Sequence, residues 1–122
     1  NPVVSSNKQG NFSANSNKND LTSMYNKRIY RVRARDGARR LFAEMKEKNI
    51  EMNAGTYNRM IREVGEVGRD VDGARRLFAE MKEKNIKMTV GTYNAMIRVV
   101  GEIGGDIDGA RKLLAEMNQK LF

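Results

Sequence analysis

The chain has 122 residues, with 23 Lys and Arg against 15 Asp and Glu, no His, no Cys, no Trp and one Pro. That inventory excludes zinc sites built on His or Cys, thiol redox chemistry, and catalysis by a histidine base or a cysteine nucleophile. A net charge of +8 points to a polyanionic partner, and no apolar run approaches the roughly 18 residues of a membrane span, so no membrane insertion is expected.

Residues 1–19 carry six Asn, four Ser and no acidic side chain. This composition buries too little apolar surface to offset chain ordering, and it predicts a disordered tail. From Asp20 onward the governing feature is self-similarity. Gly37 to Ile50 recurs residue for residue as Gly73 to Ile86, a period of 36. The same offset carries Gly55-Thr56-Tyr57-Asn58 onto Gly91-Thr92-Tyr93-Asn94, and aligning 54–86 with 90–122 gives 21 identities in 33 positions. A period of this length predicts a stack of helical hairpins in which each repeat covers the apolar face of its neighbour.

Within each repeat the apolar spacing is helical. Tyr57, Met60, Ile61 and Val64 fall at i, i+3, i+4 and i+7, as do Ala74, Leu77, Phe78 and Met81. Gly65 and Gly68 allow close backbone approach and a tight turn between the two helices. Asp70 or Asp72 can cap the second helix, and Asn85, like Asn49, suits the left-handed residue that ends it. Projecting back by 36 sets Thr22 on Asn58 and Tyr25 on Ile61. Helices are therefore predicted at about 20–34, 37–48, 55–66, 71–84, 91–102 and 107–120, an all-α chain divided into a degenerate repeat at 20–53, a full one at 54–89 and a truncated one at 90–122.

Charge is uneven along these repeats. Residues 1–53 hold 11 basic and 5 acidic side chains, 54–89 hold 8 and 6, and 90–122 hold 4 and 4. Lys27, Arg28, Arg31, Arg33 and Arg35 are opposed locally only by Asp36, which marks them as candidates for phosphate contact. Arg39, Arg40, Arg75 and Arg76 read instead as solvated helix faces, with Glu44 four residues beyond Arg40 and Glu80 four beyond Arg76. Met45, Met60, Met81, Met96 and Met117 lie on apolar faces and are expected in the core, and Tyr57 and Tyr93 are expected between helices with their hydroxyls partnered. Asn58 and Asn94 are open to two readings, a hydrogen-bonding ligand contact or a structural cap.

The unit Gly-Thr-Tyr-Asn-x-Met-Ile, followed by Asp-Val-Asp-Gly-Ala-Arg-Arg-Leu-Phe-Ala-Glu-Met-Lys-Glu-Lys-Asn-Ile-Lys, resembles the pentatricopeptide repeat, over 54–122 and in part over 18–53. The resemblance implies an α-solenoid of about three helix-turn-helix repeats wound as a right-handed superhelix. It implies binding of single-stranded RNA or rRNA with one base read per repeat, with no catalytic residue, metal or cofactor. The base-contacting positions of the family, the fifth residue of the first helix and the last of the repeat, carry over to Thr22 with Asn53, Asn58 with Thr89, and Asn94. The family's pairing rules suggest adenine for the first pair and a pyrimidine for the second.

Three positions depart from the family's usual residues. Gly55 and Gly91 stand where an apolar residue sandwiches the base, Glu66 and Glu102 where a Lys meets phosphate, and Met52 and Met88 where a Pro is common. The residue in excess of the family's usual 35 is placed at Asp70 and Asp106, in the turn between helices. Function is expected in organellar RNA processing, stability or translation, in the mitochondrion rather than the plastid. The alternative is a structural subunit of an organellar ribosome or other ribonucleoprotein. Such a subunit would dock protein or rRNA, or self-associate, through the apolar C-terminal repeat with Leu113, Leu114, Met117, Leu121 and Phe122.

Overall fold

The computed structural model describes residues 14–32 and 36–122, and these are helical with short connections. The chain divides between Met52 and Asn53 into two compact bodies. The first body holds α1 (Ala14–Arg31) and α2 (Gly37–Glu47). The second holds α3 (Ala54–Ile61), α4 (Val71–Glu83), α5 (Val90–Arg98) and α6 (Ile107–Leu121). Both α3 and α5 run on into π-helical turns, Arg62–Val67 and Val99–Ile103.

Every expected helix is present, and the architecture is the all-α helical repeat that the period implies. The main departure in extent is α1, which begins at Ala14 and so takes in 14–19, placed in the disordered tail by composition. Propagating a helix from a packed segment costs far less than nucleating one, so polar residues can extend it. The rest of that tail, residues 1–13, lies outside the described residues.

Helix ends follow local chemistry. Asn53 accepts from the Thr56 amide through Oδ1 at 3.1 Å, while Thr56 Oγ1 accepts from the Asn53 amide at 3.2 Å, a reciprocal cap on α3. Thr89 and Thr92 repeat it on α5 at 3.3 and 3.0 Å. Asp70 and Asp106 cap α4 and α6, each accepting from the glycine amide three residues on at 2.8 Å. A Cβ at Gly73 or Gly109 would lie 2.4 Å from that capping carboxylate, so the cap itself requires glycine there. At the far ends of α2 and α4, Asn49 and Asn85 take φ of 55° and 57°, as their position suggested.

The position of the extra residue is a correction. Asp70 and Asp106 are occupied by capping, and the added residue is absorbed one turn earlier in the π turns, where the Gly68 and Gly104 amides reach back five residues to Glu63 and Val99. The widened turn ends in a left-handed residue, Arg69 at φ 56° and Gly105 at φ 69°. From there the amides of Asp70 and Asp106 close back on the carbonyls of Val64 and Val100 at 3.0 Å.

The second body has one continuous core. Tyr57, Ile61, Ala74, Met81, Tyr93, Val99 and Val100 are wholly buried, each large side chain contributing about 1.5–3 kcal/mol by leaving water. Phe78 of α4 meets Tyr93 of α5 edge to face, with ring centroids 5.7 Å apart. Gly65 lets the two π turns approach so closely that a Cβ there would lie 2.5 Å from Val99. All five methionines expected in the cores are buried.

Candidate nucleic-acid interface

The tyrosines fix the register of the repeats. Tyr57 on α3 donates its hydroxyl to Glu80 on α4, and Tyr93 on α5 donates to Glu116 on α6 at 2.7 Å, each pair 23 residues apart. In the first body it is Tyr25 that donates to Glu44, 19 residues away. The first repeat is therefore four residues shorter than the others (23 − 19), and Tyr25-Asn26 is the counterpart of Tyr57-Asn58 and Tyr93-Asn94.

This corrects the projection by 36. Thr22 does not stand at the fifth position of the first repeat; Asn26 does. Thr22 lies one helical turn earlier, buried, with its hydroxyl donated to the backbone carbonyl of Glu51. Asn26 is half-buried. The Tyr-Asn dipeptide recurring at 25, 57 and 93 carries the signal, but the shorter connection hides it from a fixed period.

Burial, and then hydrogen bonding to the carboxylate, push the phenols of Tyr57 and Tyr93 well above their ordinary value, which keeps both as neutral donors. Burial opposes the charge on Glu116. The hydrogen bonds from Tyr93 and Lys82, with the charges of Lys82 and Lys120, outweigh it and hold the carboxyl below its ordinary value.

Asn58 meets Thr89, the last residue of its own repeat, and Thr92 of the next one. Asn58 Nδ2 donates to Thr89 Oγ1 at 3.0 Å, and Thr92 Oγ1 donates to Asn58 Oδ1. Both readings of Asn58 thus have a physical basis, since the amide is at once a link between repeats and a half-buried polar group. Gly91 lies beside this cluster, and a Cβ there would sit at ordinary contact distance, 3.4 Å from Nδ2. Asn94 is exposed. Asn53 is also exposed at the surface of the second body, with its side chain engaged in the α3 cap.

Lys27, Arg28 and Arg31 are exposed on α1, and none forms an ion pair with a described carboxylate. Arg28 stacks over the Tyr25 ring at 5.6 Å, which leaves its N–H edge available to an anion. Arg33 and Arg35 lie outside the described residues.

The expected partners of the second-helix arginines differ from those found. Glu44 and Glu80 face the tyrosines and take Lys48 and Lys84 as their i+4 partners, the favourable Glu-to-Lys order. Arg40 pairs instead with Asp36 at 3.0 Å, and Arg75 with Asp106 at 3.1 Å. Glu66 pairs with Arg98 of the next repeat at 3.3 Å, so its charge is locally compensated, while Glu102 is exposed.

Among the described residues no helix is long and apolar enough to cross a membrane. The sequence profile of the pentatricopeptide repeat domain matches residues 40–103, just over half of the chain. A comparison with curated proteins found no match.

Proposed function

Because the chain belongs to the pentatricopeptide repeat family, we propose that it binds single-stranded RNA without doing chemistry on it, in organellar RNA processing, stability or translation. One observation carries this reading: Asn58 and Thr89, brought from the two ends of one repeat to 3.0 Å, form a polar pair at the two positions through which such repeats read a base. Asn26 and Asn94 occupy the corresponding positions in the other repeats. Lys27, Arg28 and Arg31 supply affinity for phosphate, and the side chains of the repeats supply preference among bases.

Fluorescence anisotropy with single-stranded homopolymers and an RNA duplex, each at two salt concentrations, tests the proposal. Single strands are expected to bind more tightly than duplex and to differ among bases. Replacing Lys27, Arg28 and Arg31 together by Ala is expected to lower the slope of log affinity against log salt by about 2 while leaving the order of base preference intact. Equal binding to every RNA would remove the base-reading part of the proposal.

Exposed apolar side chains favour a second reading. Ile107 and Leu114 of α6 are 57% and 46% accessible, and Phe122 is 84% accessible. A face of this kind suits docking to a protein or to a second copy, as in a ribonucleoprotein subunit. Failure to bind any RNA, together with concentration-dependent sedimentation that Leu114→Lys abolishes, would favour it.

A further inference from the structure

The second body carries two arginines beside the positions proposed to meet bases. Arg62 stands four residues beyond Asn58, and Arg98 four beyond Asn94, one helical turn of about 5.4 Å along the same side of α3 and α5. Both are exposed. A strand whose bases reach Asn58 and Asn94 runs its backbone within reach of two guanidinium groups, whose planar N–H forks suit phosphate oxygens.

The two arginines are not equivalent. Arg62 forms no ion pair among the described residues, and the adjacent carboxylate of Glu63 is taken by Arg59 at 2.8 Å. In an unbroken α-helix Glu66 would lie below Arg62 at i+4. The π turn that begins at Arg62 sets residues five apart in line instead, and Glu66 is carried round to the next repeat. There it meets Arg98 through one contact, in which Nη1 donates to Oε1 at 3.3 Å.

That contact differs from the other ion pairs between these repeats. Asp106, which pairs with Arg75, also caps α6, and Glu116, which pairs with Lys82, also accepts from Tyr93. Glu66 makes no other hydrogen bond or ion pair among the described residues, and the Arg98 side chain is 55% accessible. A long, single, solvent-exposed contact adds little to the fold and exchanges readily for another anion.

We propose that Arg62 and Arg98 form a second line of phosphate contacts, and that Glu66 is an internal competitor that occupies Arg98 in the free protein, so that a phosphodiester oxygen must displace a carboxylate at Arg98 but not at Arg62. The inference rests on the RNA reading proposed above. It makes the grip on the backbone unequal between the second repeat and the third.

The test is a double-mutant cycle read by fluorescence anisotropy with a single-stranded homopolymer over a range of salt. One phosphate contact on a single strand contributes about 0.7 to the slope of log affinity against log salt, or about fivefold in affinity at about 0.1 M salt. Arg62→Gln is expected to lose about that much. Glu66→Gln is expected to gain about fivefold when Arg98 is present and less than about twofold in the Arg98→Gln background. An equal gain in both backgrounds would show only the effect of one fewer negative charge and would overturn the proposal. So would Glu66→Gln without a gain, or Arg62→Gln without a loss.

A second measurement needs no RNA. The Arg98 Nε–H resonance is followed by NMR while inorganic diphosphate is added to the wild type and to Glu66→Gln. The variant is expected to respond at several-fold lower diphosphate concentration, and equal responses would overturn the competition. If no variant binds any RNA, the RNA reading itself falls, and the diphosphate titration still decides whether Glu66 withholds Arg98 from phosphate.

Discussion

Two left-handed positions in equivalent turns show how much a single residue decides. Arg69 and Gly105 close the same turn in successive repeats at φ of 56° and 69°. A side chain in that region meets its own carbonyl, at a cost of about 1–2 kcal/mol, whereas glycine enters freely but loses more entropy on folding. Arg69→Gly is therefore expected to raise stability by roughly 0.5–1 kcal/mol in urea unfolding, and Gly105→Arg to lower it by a similar amount. The Asn49 and Asn85 conformations were legible in the sequence because Asn is among the few side chains that favour this region. Arg69 was not, because nothing about an arginine announces a left-handed turn. Tyr93→Phe removes a hydrogen bond to a charged acceptor and is expected to cost about 1.5–3 kcal/mol in the same assay. Its pH dependence follows from two shifts of opposite kind. The raised phenol contributes stability that is complete below the ordinary value of 10.0 and is lost as pH rises through the folded value. The lowered Glu116 carboxyl contributes stability that is present above its ordinary value of 4.5 and is lost as pH falls through the folded value. Tyr93→Phe should thus flatten the stability profile at both its alkaline and its acid edge.

Among the elements, the helices were legible and their joints were not. Apolar side chains at i, i+3, i+4 and i+7 bury one face wherever they occur, so α3 to α6 followed from pattern alone. A π turn leaves no such mark, because one extra residue in a glycine-rich stretch fits a loop and a widened helix equally well. What decides is packing: the π turns put Gly65 against Val99 and Gly101 against Ala110. Gly65→Val is expected to wedge these elements apart and cost about 1–3 kcal/mol, read as a drop in the urea midpoint. Gly101→Ala meets only the Ala110 methyl, at 3.2 Å, and should cost less. The register of the first repeat was hidden for a related reason. Its connection is four residues shorter than the others, so the fixed period placed Thr22 where Asn26 belongs.

Across the whole molecule, the positive charge and the proposed base-reading positions are separated along the chain. Of the net charge of +8, residues 1–53 carry +6, while Asn58 lies in a stretch where acids nearly balance bases. Base preference measured at high salt should then persist after overall affinity has fallen, since screening weakens phosphate contacts far more than neutral hydrogen bonds. The tie between tyrosine and carboxylate that sets the register also has an optical consequence. With no tryptophan, the protein's ultraviolet emission comes from four tyrosines, and three of them hold their hydroxyl against a carboxylate. An excited phenol is a far stronger acid than a resting one and passes its proton to such a neighbour instead of emitting. The native protein is therefore expected to be dim and to brighten as it unfolds, which tyrosine emission across a urea titration checks. Because the dark tyrosines are spread one to a repeat, replacing them singly by Phe turns the chain into its own reporter of which hairpin opens first.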